Sequence, residues 1–400
     1  MASRLAPWLR VASAMTCVGW GANQFAGLLE VYRGTGHRSE AFVSSAVGVY
    51  AAGLIPALLV VAAISNRVDR RTPVRWSVLL SAAGSVLIMA GAEHDWLVLL
   101  GRFVAGVATG AVLAPGTAWL MDLSPADSSG TGARRATVAL SLGFGGGPLV
   151  AGLVAQWSPS PAVLPYTVHL LLAAVTGTLL WSTPVEPARR DACPRAVAGP
   201  GRWAGARAVL RQREFLGVVP LTAPWVFGTA TTAFAIAPTA VHVATLPIAT
   251  NAVVTGTTLV AGVGIQPLGK RMEHHARGRT LWVGMALAAV GLLLTAVMFV
   301  APHVWMLFLV APLLGGAYGL LMVGGLSRVE VLTKPDDRAT VNAVFYALTY
   351  LGFAAPYLFV LLTQQVVGAT TLLGLGTLVA AASALAVVGQ RRTPRTEPTG

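Results

Sequence analysis

Apolar residues run through this chain in long uninterrupted blocks. Residues 136–185 hold 50 positions without Asp, Glu, Lys or Arg, 215–269 hold 55, 280–327 hold 48, and 339–390 hold 52. One bilayer crossing needs about 20 residues, so each block predicts two helices and a short uncharged turn. Turn chemistry sits near the middle of each block: Ser158-Pro159-Ser160-Pro161, Leu246-Pro247, Ala301-Pro302 and Val367-Gly368. The first 135 residues carry interspersed charges and predict four more spans, at about 11–32, 41–65, 74–92 and 96–122. The total is twelve helices. Membrane barrel strands would alternate polar and apolar residues over about ten positions, and these blocks do not.

Composition agrees with that pattern. Four hundred residues would otherwise suggest two or three soluble domains. Hydrophobic residues make up 55% and charged residues only 11%, against about 25% in soluble domains. So few charges cannot cover a water-exposed surface. The expected class is an all-α integral membrane protein.

The net charge of +13 resembles a nucleic-acid signal until the charges are placed. With the N-terminus in the cytoplasm, 25 of the 28 basic residues fall in cytoplasmic segments, as the positive-inside rule requires. Arg33 and Arg38 fall outside, and Arg102 falls within a helix. The charge is thus a topology signal, and no nucleic-acid partner is expected. Arg outnumbers Lys 26 to 2, as in proteins of G+C-rich bacteria. The expected location is the bacterial cytoplasmic (inner) membrane, multi-pass, with both termini cytoplasmic. The first apolar run follows Arg4 and Arg10 and leads into more membrane, so it reads as a signal anchor. Cys17 lies in an apolar run and Cys193 in a charged one, which gives no case for a disulfide.

The longest connection divides the chain into two pseudo-symmetric halves. We expect a six-helix bundle over 1–182, a cytoplasmic linker over 183–212, a second six-helix bundle over 213–390, and a tail over 391–400. The halves echo each other. Arg135-Ala136-Thr137-Val138 matches Arg338-Ala339-Thr340-Val341, and Leu142-Gly143-Phe144 before Pro148 matches Leu351-Gly352-Phe353 before Pro356. Arg67-Val68-Asp69 matches Arg271-Met272-Glu273, and Gly106-x-x-x-Gly110 matches Gly315-x-x-x-Gly319. A 6+6 parallel repeat of this kind builds secondary transporters with a site between the halves.

Here the chain resembles the major facilitator superfamily over its whole length. The loop after the second span resembles the family's Gly-x-x-x-Asp-Arg-x-Gly-Arg-Arg element at Arg67, Arg70 and Arg71. Ala62, Asn66 and Asp69 replace its two glycines and its acid. In the family that acid helps to latch the cytoplasmic side, so Asn66 argues against an ionic version. The fourth span carries Arg102-x-x-x-Gly106-x-x-x-Gly110, similar to the family's Arg-containing motif without its Gln. The fifth carries Gly143-x-x-x-Gly147-Pro148-x-x-Ala151-Gly152. It resembles the motif of twelve-helix proton-coupled drug exporters, with one Gly replaced by Ala. The resemblance implies the twelve-helix fold of the family and, from this last motif, an antiporter.

Candidate chemistry is sparse. Gly143, Gly147, Pro148 and Gly152 allow close helix packing, and a gating hinge would use the same residues. Ionisable groups inside a membrane are expensive and functional by default. Arg102 lies about 9 Å below the outer edge, counted from Trp96 at ~1.5 Å per residue. Glu30 is at similar depth. A charge pair between them, broken when Glu30 takes up a proton, is one expectation. A substrate anion on Arg102, or a local Glu30–Arg33 pair three residues apart, are the alternatives. Asn23 and Gln24 on the first span could hydrogen-bond a substrate in the cavity or neighbouring helices, and Asn342, Tyr346 and Tyr350 on the eleventh are candidates for the substrate cavity. His169 is the mid-membrane histidine, read as hydrogen-bonded packing. No metal spacing, nucleotide-binding loop or nucleophile elbow is found, so no cofactor and no enzyme activity are expected.

The expected function is secondary active efflux of small amphipathic or antibiotic-like molecules by alternating access, with protons as coupling ion. Nutrient or metabolite uptake by the same fold is the alternative; a polytopic membrane enzyme or sensor is the weaker one. The expected partners are a small-molecule substrate and the lipid bilayer, and the expected state is a monomer.

Overall fold

The computed structural model describes residues 5–34, 38–64, 69–91, 93–124, 131–183, 202–334 and 337–392. Among them the regular structure is helical throughout. Eleven helices are long and apolar enough to cross a membrane: α2 Glu40–Ala62, α3 Arg71–Ala90, α4 Asp95–Asp122, α5 Thr131–Gln156, α6 Leu164–Trp181, α7 Arg213–Ala240, α8 Pro247–His275, α9 Arg279–Met298, α10 Val304–Leu332, α11 Thr340–Gln365 and α12 Ala369–Val388. The first crossing, α1 at 7–34, differs because it is interrupted. It is α-helical for 17 residues over Pro7–Asn23, tightens to a 3₁₀ turn over Gln24–Leu28, and resumes over Leu29–Gly34. A short helix, Arg202–Leu210, precedes α7.

The helix ends follow local chemistry. Proline stands in the first turn at Pro7, Pro165 and Pro247, where its missing N–H costs nothing. Leu246 takes a left-handed φ of 54° to make the α7–α8 turn. All four predicted turns fall between helices.

Lipid offers no net drive for apolar helices to associate, so close approach through small residues must supply it. The glycines show how close. A Cβ on Gly106 would collide with the Tyr50 carbonyl, and one on Gly110 with the Leu54 carbonyl, where α4 crosses α2. In the other half, Gly315 and Gly319 meet the Thr258 and Gly262 carbonyls, where α10 crosses α8 in the same way. The Gly-x-x-x-Gly echo in the sequence is thus one packing geometry used twice.

The first helix of each half is also irregular in its backbone. α7, the counterpart of α1, has a π turn at Thr232–Ile236 and a 3₁₀ turn at Ala237–Ala240. α11 has a 3₁₀ turn at Leu351–Ala354, beside the contact of Gly352 with Gly228. Irregular backbone at membrane depth is tolerated where protein surrounds it, and it marks the place where polar groups become available. The halves meet along α2–α11, α5–α8 and the outer part of α1 against α8.

Gly106→Ala is therefore expected to force α2 and α4 apart, costing about 1–3 kcal/mol as overpacked cores do. Its thermal unfolding midpoint in detergent should fall by several degrees. Gly146→Ala meets nothing within 4 Å and should leave the midpoint unchanged; equal shifts in the two variants would refute the packing argument.

Candidate functional site

The centre of the molecule is organised by Arg102 of α4, which is only 3% exposed. Among the described residues no carboxylate lies within ion-pair distance of it. Its Nε donates to the Ala46 carbonyl of α2 at 3.0 Å, and its Nη1 donates to the Ala22 carbonyl of α1 at 2.9 Å. Ala22 lies just before the 3₁₀ turn of α1. The guanidinium plane sits between two aromatic rings, 4.8 Å from Phe25 and 4.7 Å from Tyr50. Each such cation–π contact contributes roughly 0.5–2 kcal/mol, toward the upper end when desolvated. Carbonyl dipoles and ring quadrupoles thus take the place of a counter-ion.

The rings continue from there in both directions. On one side Phe25 stacks on Tyr32 at 4.8 Å, and the Tyr32 hydroxyl meets that of Tyr166 at 2.9 Å. On the other, Tyr50 touches Phe353 of α11 at 5.3 Å, across the boundary between the halves. Phe353 leads to Phe227 of α7 at 5.0 Å and Tyr350 at 5.8 Å. Phe227 stacks on Tyr350 at 4.5 Å and reaches Tyr318 of α10 at 5.4 Å. One aromatic row therefore runs from the buried charge in the first half into the core of the second.

Glu30 does not pair with Arg102. Its carboxylate is 2.6 Å from Arg33 Nη1, three residues along the same helix. The shorter local reach wins, because α1 re-forms an α turn after its 3₁₀ break and turns Glu30 toward Arg33. Arg33 Nε also meets Glu40 of α2 at 2.8 Å, and its Nη2 donates to the Ala235 carbonyl in the π turn of α7 at 3.0 Å. This cluster ties the halves together at the Leu29–Gly34 end of α1. Nearby, Asn251 Nδ2 donates to the Ala26 carbonyl at 3.0 Å, and the Ala249 N–H donates to Gln156 Oε1 at 2.9 Å. α5 and α8 touch from the middle outward, at Gly145–Val260, Leu149–Gly256 and Gly152–Ala252. The halves are in contact on that side.

Gln24 hydrogen-bonds a neighbouring helix, one of its two expected roles. It points into the first bundle rather than toward the boundary, and its Nε2 donates to Ser85 Oγ at 3.0 Å. Ser85 Oγ meets His169 Nδ1 at 2.8 Å, and His169 Nε2 meets the Cys17 carbonyl at 3.1 Å. His169 is thus hydrogen-bonded packing between α1, α3 and α6, given room by Gly21. Asn23 and Asn342 are half-buried, Tyr346 packs on Phe345 at 5.8 Å, and Tyr350 alone of the candidate cavity residues joins the aromatic row. Gly143 and Gly147 press α5 on the α1 backbone, Gly152 presses it on α8, and α5 stays helical through Pro148. Of the proposed cytoplasmic latch, Asn66 and Arg67 lie outside the described residues. Arg70 pairs with Asp122 at the inner end of α4, while Arg71 meets Asp69 at 4.0 Å and lies 6.0 Å over Trp119. Among the described residues no group of His, Cys, Asp or Glu could hold a metal ion.

Phe25, Tyr32, Tyr50, Tyr166 and Tyr318 escaped the sequence reading. Aromatic residues are common in spans, so periodicity does not distinguish them. A usable signal was the mid-span position of Tyr50 and Tyr318, away from the interface where tyrosines ordinarily anchor.

Tyr50→Phe keeps a π face over Arg102 and should unfold within a few degrees of the wild type. Tyr50→Leu removes that face and should lower stability by ~1–2 kcal/mol, read as a shift in the thermal midpoint in detergent. Equal stability of the two variants would remove the cation–π argument.

The geometry can be set beside known proteins. The structure matches that of a point mutant of the nucleoside transporter NupG with a TM-score of 0.70, covering 96% of this chain and 98% of that one at 14% sequence identity. At that identity the likeness shows the fold. The sequence model of the Major Facilitator Superfamily matches residues 11–250. A twelve-helix bundle built as two matching halves around a buried arginine is thus joined by a family match over more than half the sequence, and the chain belongs to the major facilitator superfamily of membrane transporters.

Proposed function

We propose that the protein is a proton-coupled exporter of small amphipathic molecules, working by alternating access in a bacterial cytoplasmic membrane with both termini in the cytoplasm. The observation that carries this reading is the aromatic row crossing the boundary between the halves at Tyr50–Phe353. Stacked rings are held by non-directional contacts, so they can part and re-form around a flat, apolar solute without leaving polar groups unsatisfied. Asn342, Tyr346 and Asn23, on the inner approach to that row, would supply its few polar contacts. The glycine-rich α5, flexing at Pro148, would let the halves rock.

Coupling is assigned to the outer cluster. Glu30 and Glu40 hold Arg33, and Arg33 holds the α7 carbonyl. Protonating either carboxylate removes one of the charges that position Arg33, so proton binding is read directly by the tie between the halves. Arg102, without a carboxylate partner, would then act on substrate or on the state of the cavity rather than on the proton.

Transport into inverted membrane vesicles with an imposed pH gradient, using a panel of amphipathic aromatic dyes and antibiotics, tests this reading. Gradient-dependent accumulation abolished by a protonophore is expected. Accumulation indifferent to the gradient would exclude proton antiport. Uptake only by right-side-out vesicles would favour import. Glu30→Gln should lose gradient-driven transport by about tenfold or more, equivalent to ~1.4 kcal/mol of coupling. Full activity of that variant at every pH would move the coupling site elsewhere.

A further inference from the structure

One cavity lies away from the boundary between the halves. It is an open groove of about 430 Å³ between α3 and α6, lined by Val78, Ala82, Leu170, Ala173, Gly177 and Trp181 among others. In the orientation proposed above, the Trp181 end faces the cytoplasm. From Trp181 to Leu170 is eleven residues of helix, or ~16 Å at 1.5 Å per residue. The groove therefore runs from the inner interface to the middle of a bilayer whose hydrocarbon core is ~30 Å thick. That is the depth of one leaflet, and its lining is apolar.

Its cytoplasmic mouth is basic. Arg75 Cζ lies 5.3 Å over the Trp181 ring, and its Nη2 donates to the Trp181 carbonyl at 3.3 Å. Among the described residues Arg75 Nε is buried without a hydrogen-bond partner. Arg10 joins it from α1, with Nη1 donating to the neighbouring Ser182 carbonyl at 2.8 Å. Two guanidinium groups thus meet at the end of α6, at head-group depth. Arg75 as a whole is half-buried, so its guanidinium can meet a phosphate oxygen at the interface.

We propose that this groove binds an anionic phospholipid of the inner leaflet, one acyl chain lying between α3 and α6 and the phosphate meeting Arg75. The apolar length selects a lipid rather than a soluble phosphate, and the basic mouth selects an anionic head group over a zwitterionic one. Neither feature belongs to the transport path, so the site would report membrane composition to the outer face of the first bundle.

Native mass spectrometry of the full-length protein in detergent, with dioleoyl phosphatidylglycerol against dioleoyl phosphatidylcholine, tests the assignment. A Cβ at Gly177 would meet only Val78 Cγ1, at 3.9 Å, so Gly177→Leu can fill the groove without displacing the backbone. The wild type is expected to retain phosphatidylglycerol several-fold better than phosphatidylcholine. Gly177→Leu should lose that retained lipid, with an unchanged thermal midpoint in lipid-free detergent. Arg75→Gln should lose the preference between the two lipids while Arg75→Lys keeps part of it. Retention by Gly177→Leu equal to wild type, an unchanged preference in Arg75→Gln, or equal stabilisation by glycerol phosphate without acyl chains would each overturn the proposal. Should Gly177→Leu unfold early, Ala174→Leu on the same wall provides the second reading, with the same expected and overturning results.

Discussion

A charged guanidinium can sit inside a membrane protein only where the protein replaces the water it has lost. Much of the first bundle is arranged around that requirement at Arg102. Backbone carbonyls of α1 and α2 must come within hydrogen-bond reach of α4. This is possible because Gly106 and Gly110 bring α4 onto the α2 backbone, with no side chain intervening. The two rings that cover the guanidinium come from the same two helices. Charge, close packing and the 3₁₀ break in α1 are therefore one arrangement rather than three.

The second bundle repeats the packing without the charge. Gly315 and Gly319 make the same crossing on α8, yet aromatic rings and a tyrosine, Tyr318, occupy the core that Arg102 commands in the first half. The asymmetry has a physical consequence. A cation that meets no carboxylate among the described residues on one side, and polarisable rings on the other, leave the boundary between the halves with contacts that are easily exchanged. Stronger directional contacts are placed at one rim, where Arg33, Asn251 and Gln156 bridge the halves. A transporter needs this division, since a boundary hydrogen-bonded along its whole depth could not open.

Much was legible from the chain itself. Charge-free blocks set the number of crossings, because it follows from the free energy of moving single residues between water and hydrocarbon. Arg102 stood out for the same reason. The glycine echo in the fourth and tenth spans pointed to a matched crossing. Each of these depends on a residue's own chemistry and its position along one helix.

What the chain left open were choices between neighbours of similar chemistry. Glu30 had two arginines in prospect, and only the turn of α1 after its 3₁₀ break decided for Arg33. Gln24 could have faced the boundary, but Ser85 and His169 drew it into the bundle. Tyr50 and Phe25 could have been lipid-facing rings; the approach of three helices made them the walls of a cation site. Residue type and spacing along a helix determined which groups must be satisfied within the membrane. Which partner satisfies each was decided by the angle and distance between helices, a property of the packed bundle that no single span contains.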